Sequence, residues 1–167
     1  MYGEAYLRER RFAPGSMSNR RNYPQSVDEV IDPGMTFRPG VLAAVYAFKR
    51  SYPWRGTLDE RKSKFLTLHQ ALCAVYGKRT ILTFERIDGG PSDDSSYCPA
   101  TDTICLRGKL SVVTYLHEVA HALGRDERGA AKWSLNLFKR CFPRLFANSV
   151  KEGHVLRAPP KPTEPQA

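Results

Sequence analysis

The 167-residue sequence predicts an α+β fold in which helices pack on a small antiparallel sheet. Two observations carry this. Stretches with helical apolar spacing precede and follow a central segment, residues 80–108, whose β-branched and aromatic runs sit between Gly- and Pro-rich turns. A mass of 18.9 kDa suffices for one domain of ordinary size and falls short of two.

Taken in order, residues 1–36 lack apolar periodicity and carry Pro14, Pro24 and Pro33 among arginines and serines, so they read as an irregular or disordered basic arm. Val41, Val45, Phe48 and Tyr52 then share one face of a helix that Pro53 stops. Thr57-Leu58-Asp59-Glu60 has the form of a capping box, and it opens a second helix with the stripe Leu58, Phe65, Leu68, Leu72 and Val75, ending at Gly77. Residues 80–87 and 103–106 read as strands, with an acidic, Ser-rich loop between them at 92–96. A helix from Ser111 to Leu123 is apolar nearly all round, which marks it as buried, and Gly124 closes it. A last helix covers about 126–142, limited by Pro143. The Pro-rich tail 149–167 reads as disordered, leaving 37–148 as the domain proper.

Lys and Arg number 26 against 17 Asp and Glu, a formal charge of +9. Such a surface favours polyanions, and the arginine-rich arm is the natural place for a weak nucleic-acid contact. No apolar run approaches the roughly 18 residues of a membrane helix, and mean hydropathy is −0.46. Neither paired-arginine step of the arm leads into the apolar run of a secretory signal, so the expected compartment is the cytoplasm. Cys73, Cys98, Cys105 and Cys141 form no CxxC unit, and reduced thiols are expected.

The chemistry concentrates in the buried helix, at His117-Glu118-Val119-Ala120-His121. By composition alone this H-E-x-x-H pattern would arise by chance on the order of half a per cent of the time. At about 100° per residue, His121 lies about 40° and Glu118 about 100° from His117, so the three share one side of the helix. Two imidazoles so placed can grip one metal ion, and Glu118 beside them can take a proton from a metal-bound water. Polar groups in an otherwise apolar helix also need partners, since leaving one unsatisfied costs about 1–3 kcal/mol.

A catalytic zinc takes about three protein ligands. Gly124 can turn the chain back after His121, which brings Glu127 toward the metal; Asp126 is the rival, and both also suit the start of the following helix as acids near its positive end. A remote third ligand is the other alternative. His154 sits in the Pro-rich tail and reads as solvated, while His69 on the second helix reads as a packing residue.

With its flanks, Leu116-His117-Glu118-Val119-Ala120-His121-Ala122-Leu123-Gly124 resembles the active-site helix of zincin metallopeptidases. The segment from Glu127 through Ala130, Ala131, Trp133 and Ser134 to Phe138 is similar to the second helix of their small intracellular branch, related to radiation-response and mobile-element immunity proteases. The resemblance spans roughly residues 97–142. It implies a zincin-like fold, an acidic third ligand downstream of the motif, and a strand at 103–106 that can pair with an extended substrate. Gly129 stands where the branch often has a second acidic residue, and Met1, Met17 and Met35 all precede the motif, so a later Met-containing turn is missing. The third ligand therefore stays open.

The implied activity is zinc-dependent hydrolysis of peptide bonds in a polypeptide substrate, with Glu118 as general base and Zn2+ on His117, His121 and Glu127. Tyr97, Tyr115 and several arginines are candidate donors to the oxyanion, Tyr115 disfavoured by lying about 200° around the helix from His117. Two alternatives stand beside this reading. A deformylase would use a cysteine, Cys98 or Cys105, as third ligand, but its glycine-rich segments are absent; a basic regulatory protein would bind nucleic acid and keep a structural or vestigial metal site.

Overall fold

The computed structural model of the chain describes residues 23–159. A 3-10 turn at Asp28–Val30 is followed by α1 (Pro39–Arg50), α2 (Leu58–Tyr76), β1 (Ile81–Glu85), β2 (Ser96–Cys98) and β3 (Thr103–Arg107). Then come α3 (Val112–Ala122), α4 (Glu127–Cys141), α5 (Pro143–Asn148), β4 (Val150–Glu152) and β5 (Val155–Arg157). The fold is α+β. Among the described residues no helix is long and apolar enough to cross a membrane.

The helices start and stop where local chemistry dictates. Pro39 occupies the first turn of α1, where its missing N–H is not needed. Thr57 caps α2 by accepting from the Glu60 N–H at 3.2 Å, and Gly77, at φ 62°, ends it in the left-handed conformation. Ser111 caps α3 by accepting from the Thr114 N–H, and Asp126 caps α4 by accepting from the Gly129 N–H at 2.8 Å. α4 ends at Cys141, just before Pro143 as expected, and Pro143 also opens α5, the role proline plays at a first helical position.

The sheet differs from the antiparallel one expected. Its order is β1-β3-β2, with β1 parallel to β3 and β2 antiparallel to it, so it is mixed. The cause is the 86–95 connection, which carries the chain across to the far side of β3 instead of turning back beside β1. That path runs over Gly108, where the Gly89 N–H bonds the Gly108 carbonyl at 3.2 Å and a Cβ would collide with the Pro91 carbonyl. β2 falls partly in the stretch that reads as a loop; three residues are too short to show alternation. Because β3 is flanked on both sides, it has no free edge for an extended substrate, and that implication of the resemblance does not hold.

Ile104 and Leu106 of β3 are buried in a core with Leu116, Phe65, Leu72 and Trp133. The contact between α3 and α4 is the most extensive between any two elements, and it places the motif helix between α4 and the sheet.

The expected outer boundaries of the domain fall inside packed structure. The basic arm lies mostly outside the described residues, at 1–22, but residues 23–36 are attached: Val27 and Val30 are buried in the core. The Asn136 side chain of α4 staples this stretch, donating to the Val30 carbonyl and accepting from the Asp32 N–H, both at 2.8 Å. At the other end residues 160–167 are outside the described residues, while 150–157 form the β4–β5 hairpin in place of a disordered tail. Its two-residue turn begins with Gly153 at φ 57°, and the Gly153 carbonyl accepts from the Val27 N–H at 2.9 Å.

Candidate metal centre

His117 and His121 stand one turn apart on α3, and Glu127 is the first residue of α4. Gly124, at φ 89°, turns the chain between them, with the Arg125 N–H bonded to the Ala120 carbonyl at 3.0 Å. The turn returns Glu127 to the histidines: Oε2 lies 3.1 Å from Nε2 of His117 and Oε1 3.1 Å from Nε2 of His121. The two Nε2 atoms are themselves 3.1 Å apart. Asp126 instead caps α4 with its carboxylate, and it is Glu127 that the fold groups with the two histidines.

These three side chains form the single cluster of potential metal ligands found among the described residues. Tetrahedral zinc with bonds of about 2.0–2.1 Å separates its ligand atoms by about 3.3–3.4 Å. The 3.1 Å between the two Nε2 atoms is close to one edge of that tetrahedron, and each Nε2 has a different carboxylate oxygen of Glu127 3.1 Å away. The donor set of two imidazoles and one carboxylate is also that of a catalytic site with an open position.

The tautomer needed for ligation is already set at His121. Its Nδ1–H donates to the Arg125 carbonyl at 2.9 Å, which leaves Nε2 as the atom facing the cluster. Burial disfavours charge on His121, but hydrogen bonding and attraction from Glu127, with a smaller pull from Glu118, raise its pKa above the usual histidine value. Burial works against charge on Glu127 too. Hydrogen bonds and the field of the two histidines override it and hold the carboxyl far below the ordinary carboxylate range. The cluster thus keeps its carboxylate ionised, the form a cation requires.

A cleft of about 320 Å³ opens onto the cluster, lined by His117, Glu118 and Glu127 from the helices and by Ser92 and Asp93 from the loop before β2. Glu118 is 5% exposed, so a carboxylate is held at the cleft floor in a largely dry setting. Ala131 and Ser134, small residues of α4, also line the cleft.

The tyrosines considered as oxyanion donors are placed away from this cleft. The Tyr97 hydroxyl donates to Asp102 at 2.8 Å, and the fully buried Tyr115 hydroxyl bonds Nδ1 of His69 at 2.8 Å. His69 is a packing residue as expected, its Nε2–H donating to the Thr80 carbonyl at 2.6 Å. All four cysteines are reduced thiols, and none joins the metal cluster.

His154, which reads from sequence as a solvated tail residue, instead lines the cleft. The hairpin carries it there, its ring edge-on to Tyr23 at 5.4 Å, another lining residue. Arg157 of β5 fixes the hairpin by donating to both carboxylate oxygens of Asp93, at 3.1 and 3.2 Å. The sequence signal that points to this is Gly153-His154 between two short Val-led segments, a two-residue turn with glycine first. No protein-family model, curated protein or solved structure matches the chain.

Proposed function

We propose that the protein is a zinc-dependent metallopeptidase that hydrolyses peptide bonds of a polypeptide substrate, with Glu118 as general base. The observation that supports this is the cluster of His117, His121 and Glu127, its ring nitrogens 3.1 Å from each other and each 3.1 Å from a Glu127 oxygen, beside the buried carboxylate of Glu118 on the lining of an open cleft. A bound zinc ion supplies Lewis-acid polarisation of the substrate carbonyl and a water acidified to a pKa of about 7.

The chain's own residues do the remainder. His117 and His121 offer Nε2, and Glu127 offers its ionised carboxylate. Glu118 takes the proton of the attacking water and hands it to the departing amine, which needs a carboxylate that stays close to the reacting atoms and out of bulk water. His154 and Tyr23 line the same cleft and can offer an N–H and an O–H to the developing oxyanion.

In the test, the full chain is loaded with zinc, metal is counted by elemental mass spectrometry, and hydrolysis of fluorescein-labelled casein is followed. Glu118→Gln is expected to retain about one zinc per chain and to lose activity by about 10²–10⁴-fold. His117→Ala is expected to lose the metal. Casein hydrolysis by Glu118→Gln at the parent rate would remove Glu118 from the reaction, and a parent that takes up no zinc would overturn the reading.

A further inference from the structure

Beside the metal cleft lies a second, larger cavity of about 690 Å³, walled by Trp54, Phe65, Val112, Phe138, Leu145 and Leu156 among others. The two are neighbours: Ser92, Val113, Leu156 and Arg157 line both. Its walls expose large apolar side chains, Trp54 at 50% and Leu145 at 44%. Scattered apolar residues on a surface are ordinary, but a set of them gathered around one cavity marks a place where something apolar binds.

The geometry of α3 says how far this cavity is from the reacting bond. Val113, His117 and His121 recur every fourth position and so form one stripe on the helix. Val113, one turn before the first metal ligand, is on the shared wall, and one turn advances about 6 Å. An extended peptide advances about 3.3–3.6 Å per residue. A chain whose scissile carbonyl sits at the cluster therefore presents a side chain to the second cavity within about two residues of the cut bond.

We infer that this cavity is the specificity site of the hydrolysis, and that it takes a large apolar side chain, of Leu, Phe or Met size, next to or one residue removed from the scissile bond. The inference rests on the peptidase reading. Continuity with the metal cleft argues for substrate over a second copy of the chain or a free apolar ligand, because Ser92, Val113, Leu156 and Arg157 are wall to both. Folded proteins bury such side chains, so the substrate class that offers them on an extended segment is unfolded polypeptide. Arg61 and Lys109 also line the cavity and add a preference for acidic residues in the same segment.

Two measurements on the full, zinc-loaded chain test this. The first digests β-casein and maps the cuts by mass spectrometry. Cuts with Leu, Phe or Met at one fixed position within two residues of the broken bond are expected, whereas cuts without such a position would overturn the inference. The second uses the hydrolysis-deficient Glu118→Gln chain and fluorescence anisotropy with two dansylated peptides, Ala-Ala-Phe-Leu-Ala-Ala and its analogue with Ser at both central positions. The apolar peptide is expected to bind at least tenfold tighter, and Leu145→Arg, on the exposed wall, to remove that difference while zinc content stays the same. Equal affinities within twofold, or a preference that survives Leu145→Arg, would overturn it. A retained binding preference with no casein cleavage by the parent would overturn the peptidase reading itself, and the hydrolytic role of the cavity with it.

Discussion

His69 shows how one buried side chain ties pH to stability. Its Nε2–H donates to the Thr80 carbonyl and its Nδ1 accepts from the Tyr115 hydroxyl, an arrangement that fits only the neutral ring. Burial is the main cause, against the Thr80 hydrogen bond, of a pKa below the usual 6.5. Between that depressed value and 6.5 the unfolded chain binds a proton that the folded chain refuses, so unfolding free energy falls as pH falls through this window. The melting temperature of the parent is expected to drop between pH 7.5 and 5.5 by more than that of His69→Gln, measured by circular dichroism. Identical slopes would mean His69 titrates alike in both states. The comparison between parent and variant also cancels His121, whose raised pKa acts in the opposite sense, losing stability as pH rises through it. The sequence separates these two histidines because one lies on an ordinary amphipathic stripe and the other in a paired motif. The helix period alone decides which way each ring points.

The turn between α3 and α4 brings a third potential ligand to the two on the helix. Gly124 sits at φ 89°, and a methyl group added there would meet nothing within 4 Å, so an alanine suffers backbone strain without a clash. Gly124→Ala is expected to cost about 1 kcal/mol of stability in urea unfolding and to weaken zinc binding by moving Glu127, with the His117–His121 pair intact. Asn136→Ala is expected to cost about 1–3 kcal/mol, because it strands the Val30 carbonyl and the Asp32 N–H it satisfies. Elements of this size are readable where pattern and cap coincide: Thr57, Gly77, Ser111 and Asp126 sit at the helix ends to within a residue or two. What the pattern cannot carry is set by distant partners. β2 and the β4–β5 strands are three residues each and exist through pairing, and the parallel β1–β3 contact depends on a loop crossing over Gly108. For the site, the same division applies: the motif and Glu127 are local and legible, while His154, Tyr23 and the shared cavity wall arise from packing between elements remote in sequence.

At the scale of the molecule, charge and core have separate addresses. Residues 1–22 hold Arg8, Arg10, Arg11, Arg20 and Arg21, whereas Val27 and Val30 belong to the core. Removing residues 1–22 is expected to lower the salt needed to elute the chain from heparin. Removing residues 1–30 is expected to lower the melting temperature as well, since two buried valines go with them. An elution salt unmoved by the shorter deletion would rule out the arm as a polyanion handle. The contact between the Val27 N–H and the Gly153 carbonyl, with Arg157 clamped on Asp93, also sets an order in time. The outer wall of the cleft comes from residues 150–157, and synthesis proceeds from the N-terminal side. A ribosome that has passed Glu127 has made every residue of the candidate metal cluster but no finished cleft. Only after residue 157 can the wall close on Tyr23 and Asp93, so the cleft is completed by a strand made about thirty residues after Glu127 and by residues made long before it.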